Sequence, residues 1–162
     1  MLYAKADQRV LGYLGRALSL ELTAVQQYST QARLVAAWGL TEAAEKLGHE
    51  ATEEMEHADR IIGRMLALGV APNASQLRPA MLGRNLYEVL VNNHAFEQEL
   101  VRLYTDATRH CAAKGDHDSR IFFEALLKEE MQHAEELSRW IQTLSEPGHV
   151  PVARDTNTGV TF

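Results

Sequence analysis

Six residues in this chain have types and spacings suited to holding metal ions. Glu54 and His57, in the stretch EEMEHADR, are three residues apart, and so are Glu130 and His133 in EEMQHAEEL. Residues three apart on a helix share a face, so each pair would present a carboxylate beside an imidazole. Two further acids stand at a fixed remove: Glu21 precedes Glu54 by the same interval that separates Glu97 from Glu130. Tyr28 and Tyr104 each follow the leading acid by seven positions. The pattern E-x6-Y…E-x2-H therefore occurs twice, with one common offset relating every member of the first set to its counterpart in the second, which marks an internal repeat. Four acids facing one core would repel by several kcal/mol unless two divalent cations lay between them. Carboxylate and imidazole donors suit iron or manganese, and two of the carboxylates can bridge the ions.

To aim inward together, these residues need long helices. No proline occurs from Met1 to Val70, and no segment shows convincing strand alternation. The spacing predicts a first helix from about Ala6 to Ala37, ended by Gly39, and a second capped by Thr41 and running to about Leu68. A third starts near Asn85, paired with Glu88, and ends near Lys114-Gly115; a fourth runs from Asp116 or Asp118 to about Ser145. On the first helix the seam Leu11, Leu14, Leu18, Glu21, Val25, Tyr28, Ala32 and Val35 is apolar with one acid in the middle. On the third it is Leu86, Leu90, His94, Glu97, Val101 and Tyr104. Short turns make two antiparallel hairpins, and VAPNASQLRPAMLG, joining them, is long enough to invert the second. An all-α four-helix bundle with one long crossover between its second and third helices resembles the ferritin-like connectivity. The expected division is a bundle over 1–146 and an extended or disordered tail over 147–162.

Bulk properties exclude several classes. At 162 residues, with 46% hydrophobic and 23% charged residues, the chain reads as one globular domain. A net charge of −6 suits attraction of cations and argues against a nucleic-acid partner. Cys111 is the single cysteine, so neither an intrachain disulfide nor a cysteine-based zinc or iron–sulfur centre is available, and a reducing cytoplasm is the expected location. MLYAKADQRV lacks the apolar core of a secretory signal, and no run approaches the ~20 apolar residues of a membrane span.

The motifs resemble those of bacterioferritin over roughly residues 5 to 145. ELTAVQQY, ARLVAAWGL and EEMEHADR look like that family's first two helices, and EEMQHAEEL like its fourth. The resemblance implies a ferroxidase that oxidises Fe(II) with O2 or H2O2, for iron storage and detoxification. Glu21, Glu54, His57, Glu97, Glu130 and His133 fall on the ligands of two iron ions per subunit, with manganese as the other metal. Glu54 and Glu130 would bridge, His57 and His133 would bind one ion each with their second nitrogens held by acids, and Tyr28 would lie beside the centre. Met55 falls on the ligand to a haem b shared across a dimer interface. His49 and Glu53 match an inner-surface iron site, whereas Ile61 and Glu136 replace family aromatics. A homo-oligomer is implied, a dimer or a 24-subunit shell. PGHVPVARDTNTGVTF has neither the length nor the periodicity of the family's short fifth helix.

Rubrerythrins resemble the chain in two respects. Tyr104 supplies a second tyrosine, and His94, one turn before Glu97, is a candidate seventh ligand. The alternative is thus a small dimeric di-iron oxidase or peroxidase without storage, although the Cys-x-x-Cys pairs of a full rubrerythrin are absent. A metal-stabilised structural bundle is a third reading.

Overall fold

A computed structural model describes residues 6–73 and 75–145. Among the described residues all regular structure is helical: α1 Gln8–Ala37, α2 Thr41–Ala67, α3 Leu86–Lys114 and α4 His117–Ser145. The tail expected over 147–162, and with it the question of a fifth helix, lies outside the described residues.

The caps explain the boundaries. The Asp7 carboxylate accepts from the backbone N–H of Arg9 and Val10, at 2.7 and 3.3 Å, and so opens α1. Asn85 accepts from Glu88 N at 2.9 Å, while the Glu88 carboxylate turns back to Arg84 N rather than to Asn85. Asp116 takes the last start, accepting from Ser119 N at 3.1 Å. Thr41 does not cap α2; it is the first helical residue, and Leu40 precedes it without a side-chain cap. The reason is the tightness of the turn. Leu40 N–H still closes α1 on Val35 O at 3.2 Å, and Leu40 O already receives Ala44 N at 3.0 Å. Gly39 and Gly115 adopt φ of 81° and 69°, the left-handed conformation that lets such a turn reverse the chain.

α1 packs along α2 and α3 along α4, and the two hairpins meet through α1 and α3. The apolar core falls into two clusters, one around Leu14, Leu18, Ile61, Leu100 and Phe123, the other around Val35, Leu47, Leu90 and Leu137. The crossover is tied down by a closed ring of hydrogen bonds. Gln27 Nε2 donates to Asn93 Oδ1 at 3.0 Å, and Asn93 Nδ2 to Gln31 Oε1 at 2.7 Å. Gln31 Nε2 then donates to Met81 O at 2.7 Å, and Met81 N to Gln27 Oε1 at 2.9 Å. Each buried amide in the ring finds a partner, so the polar layer costs little and fixes α1, α3 and the crossover together. Among the described residues no helix is long and apolar enough to cross a membrane.

Candidate metal centre

Each helix contributes at least one acid to the same point in the core. Glu21 comes from α1, Glu54 and His57 from α2, Glu97 from α3, and Glu130 and His133 from α4. The antiparallel turn of each hairpin brings its two acids to one level, and the three-residue spacing sets each imidazole one turn from its acid. All four acids are buried, and the two histidines lie with their rings stacked, centroids 5.7 Å apart. The six form two overlapping donor groups, Glu21–Glu54–His57–Glu130 and Glu54–Glu97–Glu130–His133, whose donor atoms gather within 4.8 Å.

The geometry assigns distinct parts to the acids. Glu54 directs Oε2 to His57 Nδ1 at 3.3 Å and Oε1 to His133 Nδ1 at 3.0 Å. Glu130 does the same, Oε1 to His57 Nδ1 at 2.8 Å and Oε2 to His133 Nδ1 at 3.2 Å. These two acids therefore face both halves, as bridging groups must. Glu21 and Glu97 face one half each, and a tyrosine holds the far oxygen: Tyr28 OH donates to Glu97 Oε1 and Tyr104 OH to Glu21 Oε1. Each tyrosine crosses to the acid of the opposite hairpin.

Eight inward atoms of this set are buried without a hydrogen-bond partner: Glu21 Oε2, Glu97 Oε2, both oxygens of Glu54 and of Glu130, and Nδ1 of His57 and His133. The imidazole–carboxylate approaches are close but badly angled for hydrogen bonding. Leaving so many buried polar atoms unpaired would cost about 1–3 kcal/mol each, so the donor set fits a pair of cations. Each outer nitrogen faces an acid, and that of His57 makes a hydrogen bond to it. His57 Nε2 meets Glu129 Oε2 at 2.8 Å and His133 Nε2 meets Glu53 Oε2 at 3.1 Å, which leaves Nδ1 as the free donor on each ring. Glu53 and Glu129 are themselves equivalent positions of the repeat. The EE doublet before each x-x-His carried that signal in the sequence.

Protons balance the charge when no cation does. Burial, then Glu54 and Glu130, hold the carboxyls of Glu21 and Glu97 well above the usual range. Burial works against the imidazolium forms of His57 and His133, but the surrounding carboxylates outweigh it and push His133 up to about 11. Burial likewise opposes ionisation of Glu130, yet His133 and His57 hold it below its ordinary value. The sign for stability follows. Above pH ~6.5 an unfolded histidine has lost its proton while the folded one keeps it, so the metal-free fold weakens as pH rises through that window. Glu21 and Glu97 add to the trend, and Glu130 gains stability only below it, in the ordinary carboxylate range. The thermal midpoint of chelator-treated protein is therefore expected to fall on the order of 5 °C between pH 6.5 and 9. A midpoint that stays level or rises would contradict this protonation pattern.

Other expected residues fall elsewhere. His94 is half-buried and belongs to neither donor group; Asn93 takes the interior place one turn before Glu97. His49 and Glu53 do meet, at 3.3 Å, but the His49 ring is 75% exposed and the other Glu53 oxygen supports His133. Glu50, unremarked in the sequence, is pushed up to about 7 by burial and lines a cleft between α2 and α4 with His49, Glu53 and Glu136. Met55 projects from α2 at 45% exposure. Gly48, two turns earlier, has open space where a side chain would stand.

A bundle whose four helices converge on paired carboxylate–imidazole donors defines a ferritin-like protein, and the Ferritin-like domain family matches residues 11–146. The chain belongs to that family, among the bacterioferritins. It is 39% identical to bacterioferritin of Rhodobacter capsulatus over 144 residues, 89% of each chain, and 35% identical to that of Brucella melitensis biotype 1 over the same shares. Bacterioferritin of Mycobacterium leprae is 30% identical, covering 89% of this chain and 91% of that one. The solved Rhodobacter capsulatus bacterioferritin superposes with a TM-score of 0.83, covering 87% of this chain and 88% of that one. That structure has a metal-free dinuclear site and a haem iron in a crystallographic special position.

Proposed function

We propose that the protein is a ferroxidase serving iron storage and detoxification, with Glu21, Glu54, His57, Glu97, Glu130 and His133 binding two Fe(II) ions as substrate. The observation that carries this reading is the set of eight buried, unpartnered donor atoms converging from four helices. Each Fe(II) gives up one electron. The pair of electrons, with two protons, reduces O2 to H2O2, or H2O2 to two waters. Glu54 and Glu130 stand between the ions and offset their mutual repulsion. Tyr28 and Tyr104 keep Glu97 and Glu21 turned so that one oxygen of each faces the ions. Tyr28 thereby touches a ligand directly, which suits its expected place beside the centre. The buried site excludes bulk water and leaves His133 as its most open edge.

Met55 is the residue that would hold haem iron. A thioether sulfur is an ordinary ligand of haem iron, and a special position lies on a symmetry element, so one Met55 from each of two copies would hold the iron there. We read the assembly as a homo-oligomer in the cytoplasm. The storage-free oxidase reading loses its seventh ligand, because His94 stays away from the donor groups.

Stopped-flow oxidation of Fe(II), combined with light scattering, tests the proposal. The expected result is a fast phase that saturates at two Fe(II) per chain, in a particle whose mass is that of a 24-subunit shell. A fast phase in a dimer would remove storage, and no fast phase would remove the ferroxidase.

A further inference from the structure

The two halves of the centre are built from equivalent positions of the repeat, and the equivalence breaks in the supports of the two imidazoles. On the His57 side, Glu129 meets the imidazole at 2.8 Å and its carboxylate accepts from Arg60 Nη1 at 3.0 and 2.9 Å through its two oxygens. On the His133 side, Glu53 stands 3.1 Å from the imidazole, and its other oxygen meets the exposed His49 ring at 3.3 Å. The repeat position equivalent to Arg60 is Glu136, an exposed acid bonded to Gln132. The His57 side chain is 3% exposed and that of His133 is 13%.

We propose that Arg60 is a positioning residue which, by clamping Glu129 against His57, makes the Glu21–His57 position the tighter of the two metal positions and the first to fill. The Glu97–His133 position, lacking such a clamp, is the weaker and exchangeable one. The inference rests on the two-metal reading of the centre. Its physical basis is the dependence of a metal-bound imidazole on the group behind it. A fixed carboxylate locks the ring's tautomer and direction, and a loose one lets both wander. Arg60 lends Glu129 rigidity rather than basicity, since a guanidinium draws on the carboxylate's charge while holding both its oxygens. Exposure works the same way, because water competes for the more open ring.

The test is calorimetric titration of metal-free protein with Co(II) in the absence of reductant, with the visible d–d bands followed in parallel. The wild type is expected to take two Co(II) in distinct steps. Arg60→Met is expected to weaken the first step roughly 3-fold to 10-fold, less than the 10-fold to 100-fold usual when the group bonded to the ligand itself is removed, and to leave the second step in place. Arg60→Lys, which keeps a cation beside Glu129, is expected to restore part of the first step. Circular dichroism of the variants confirms that the bundle persists. Two equal steps in the wild type, or an Arg60→Met variant that weakens both steps alike or neither, would overturn the inference. Fewer than two ions bound by the wild type would instead remove the two-metal reading beneath it.

Discussion

Glu54→Ala is expected to slow Fe(II) oxidation by roughly 100-fold or more, equivalent to about 2.7 kcal/mol of transition-state stabilisation, while the bundle stays folded. Glu54 and Glu130 alone belong to both donor groups, and Glu54 sends one oxygen toward each imidazole. Its removal takes a ligand from both positions at once and removes a negative charge that lies between the ions. The effect on folding has opposing parts. The truncation opens a small cavity and deprives two imidazoles of a partner. It also relieves the repulsion that Glu54 exerts on Glu21, Glu97 and Glu50, each of which its charge pushes up. The net change in the metal-free protein is therefore expected within about 2 kcal/mol, in the ordinary range for one substitution. Oxygen uptake measures the first part and urea unfolding the second. Unfolding of Glu54→Ala, with no active folded form, would point to a structural rather than a catalytic centre.

Loading the centre is expected to raise stability by more than any single substitution changes it. An ion that binds the native state alone contributes about 4 kcal/mol when present at a thousand times its dissociation constant. Two such ions would raise the thermal midpoint on the order of 20 °C for a domain of this size. Co(II) serves as the probe because it avoids turnover. The pH trend should also reverse. Metal must displace the protons held on His57 and His133, so binding strengthens as pH rises while the metal-free fold weakens. Melting curves of chelated and Co(II)-loaded protein at pH 6.5 and 8.5 measure both effects. Coincident curves at both pH values would contradict the cation pair.

Much of this was legible in the chain because helical periodicity and an unbroken repeat carry through three dimensions. Four helices, their glycine stops and the inward face of each acid all follow from spacing. What escaped the sequence has specific causes. Asn93 and His94 both lie about one turn before Glu97, and periodicity does not separate neighbours only about 100° apart. Packing against Gln27 and Gln31 decided in favour of Asn93. Thr41 lost its capping role to a turn so short that Leu40 serves both helices. The Arg60–Glu129–His57 clamp joins α2 to α4 between residues far apart in the chain, and no local pattern announces it. The crossed tyrosines repeat visibly, yet only the packed bundle shows that each serves the other hairpin's acid.

The most direct measurement is iron-edge anomalous diffraction from metal-free crystals soaked anaerobically in Fe(II). The account predicts two peaks per chain, roughly 3.5–4 Å apart as in other two-metal sites, one beside His57 Nδ1 and one beside His133 Nδ1, with Glu54 and Glu130 reaching both. A single peak, or iron bound only outside the six residues, would contradict it.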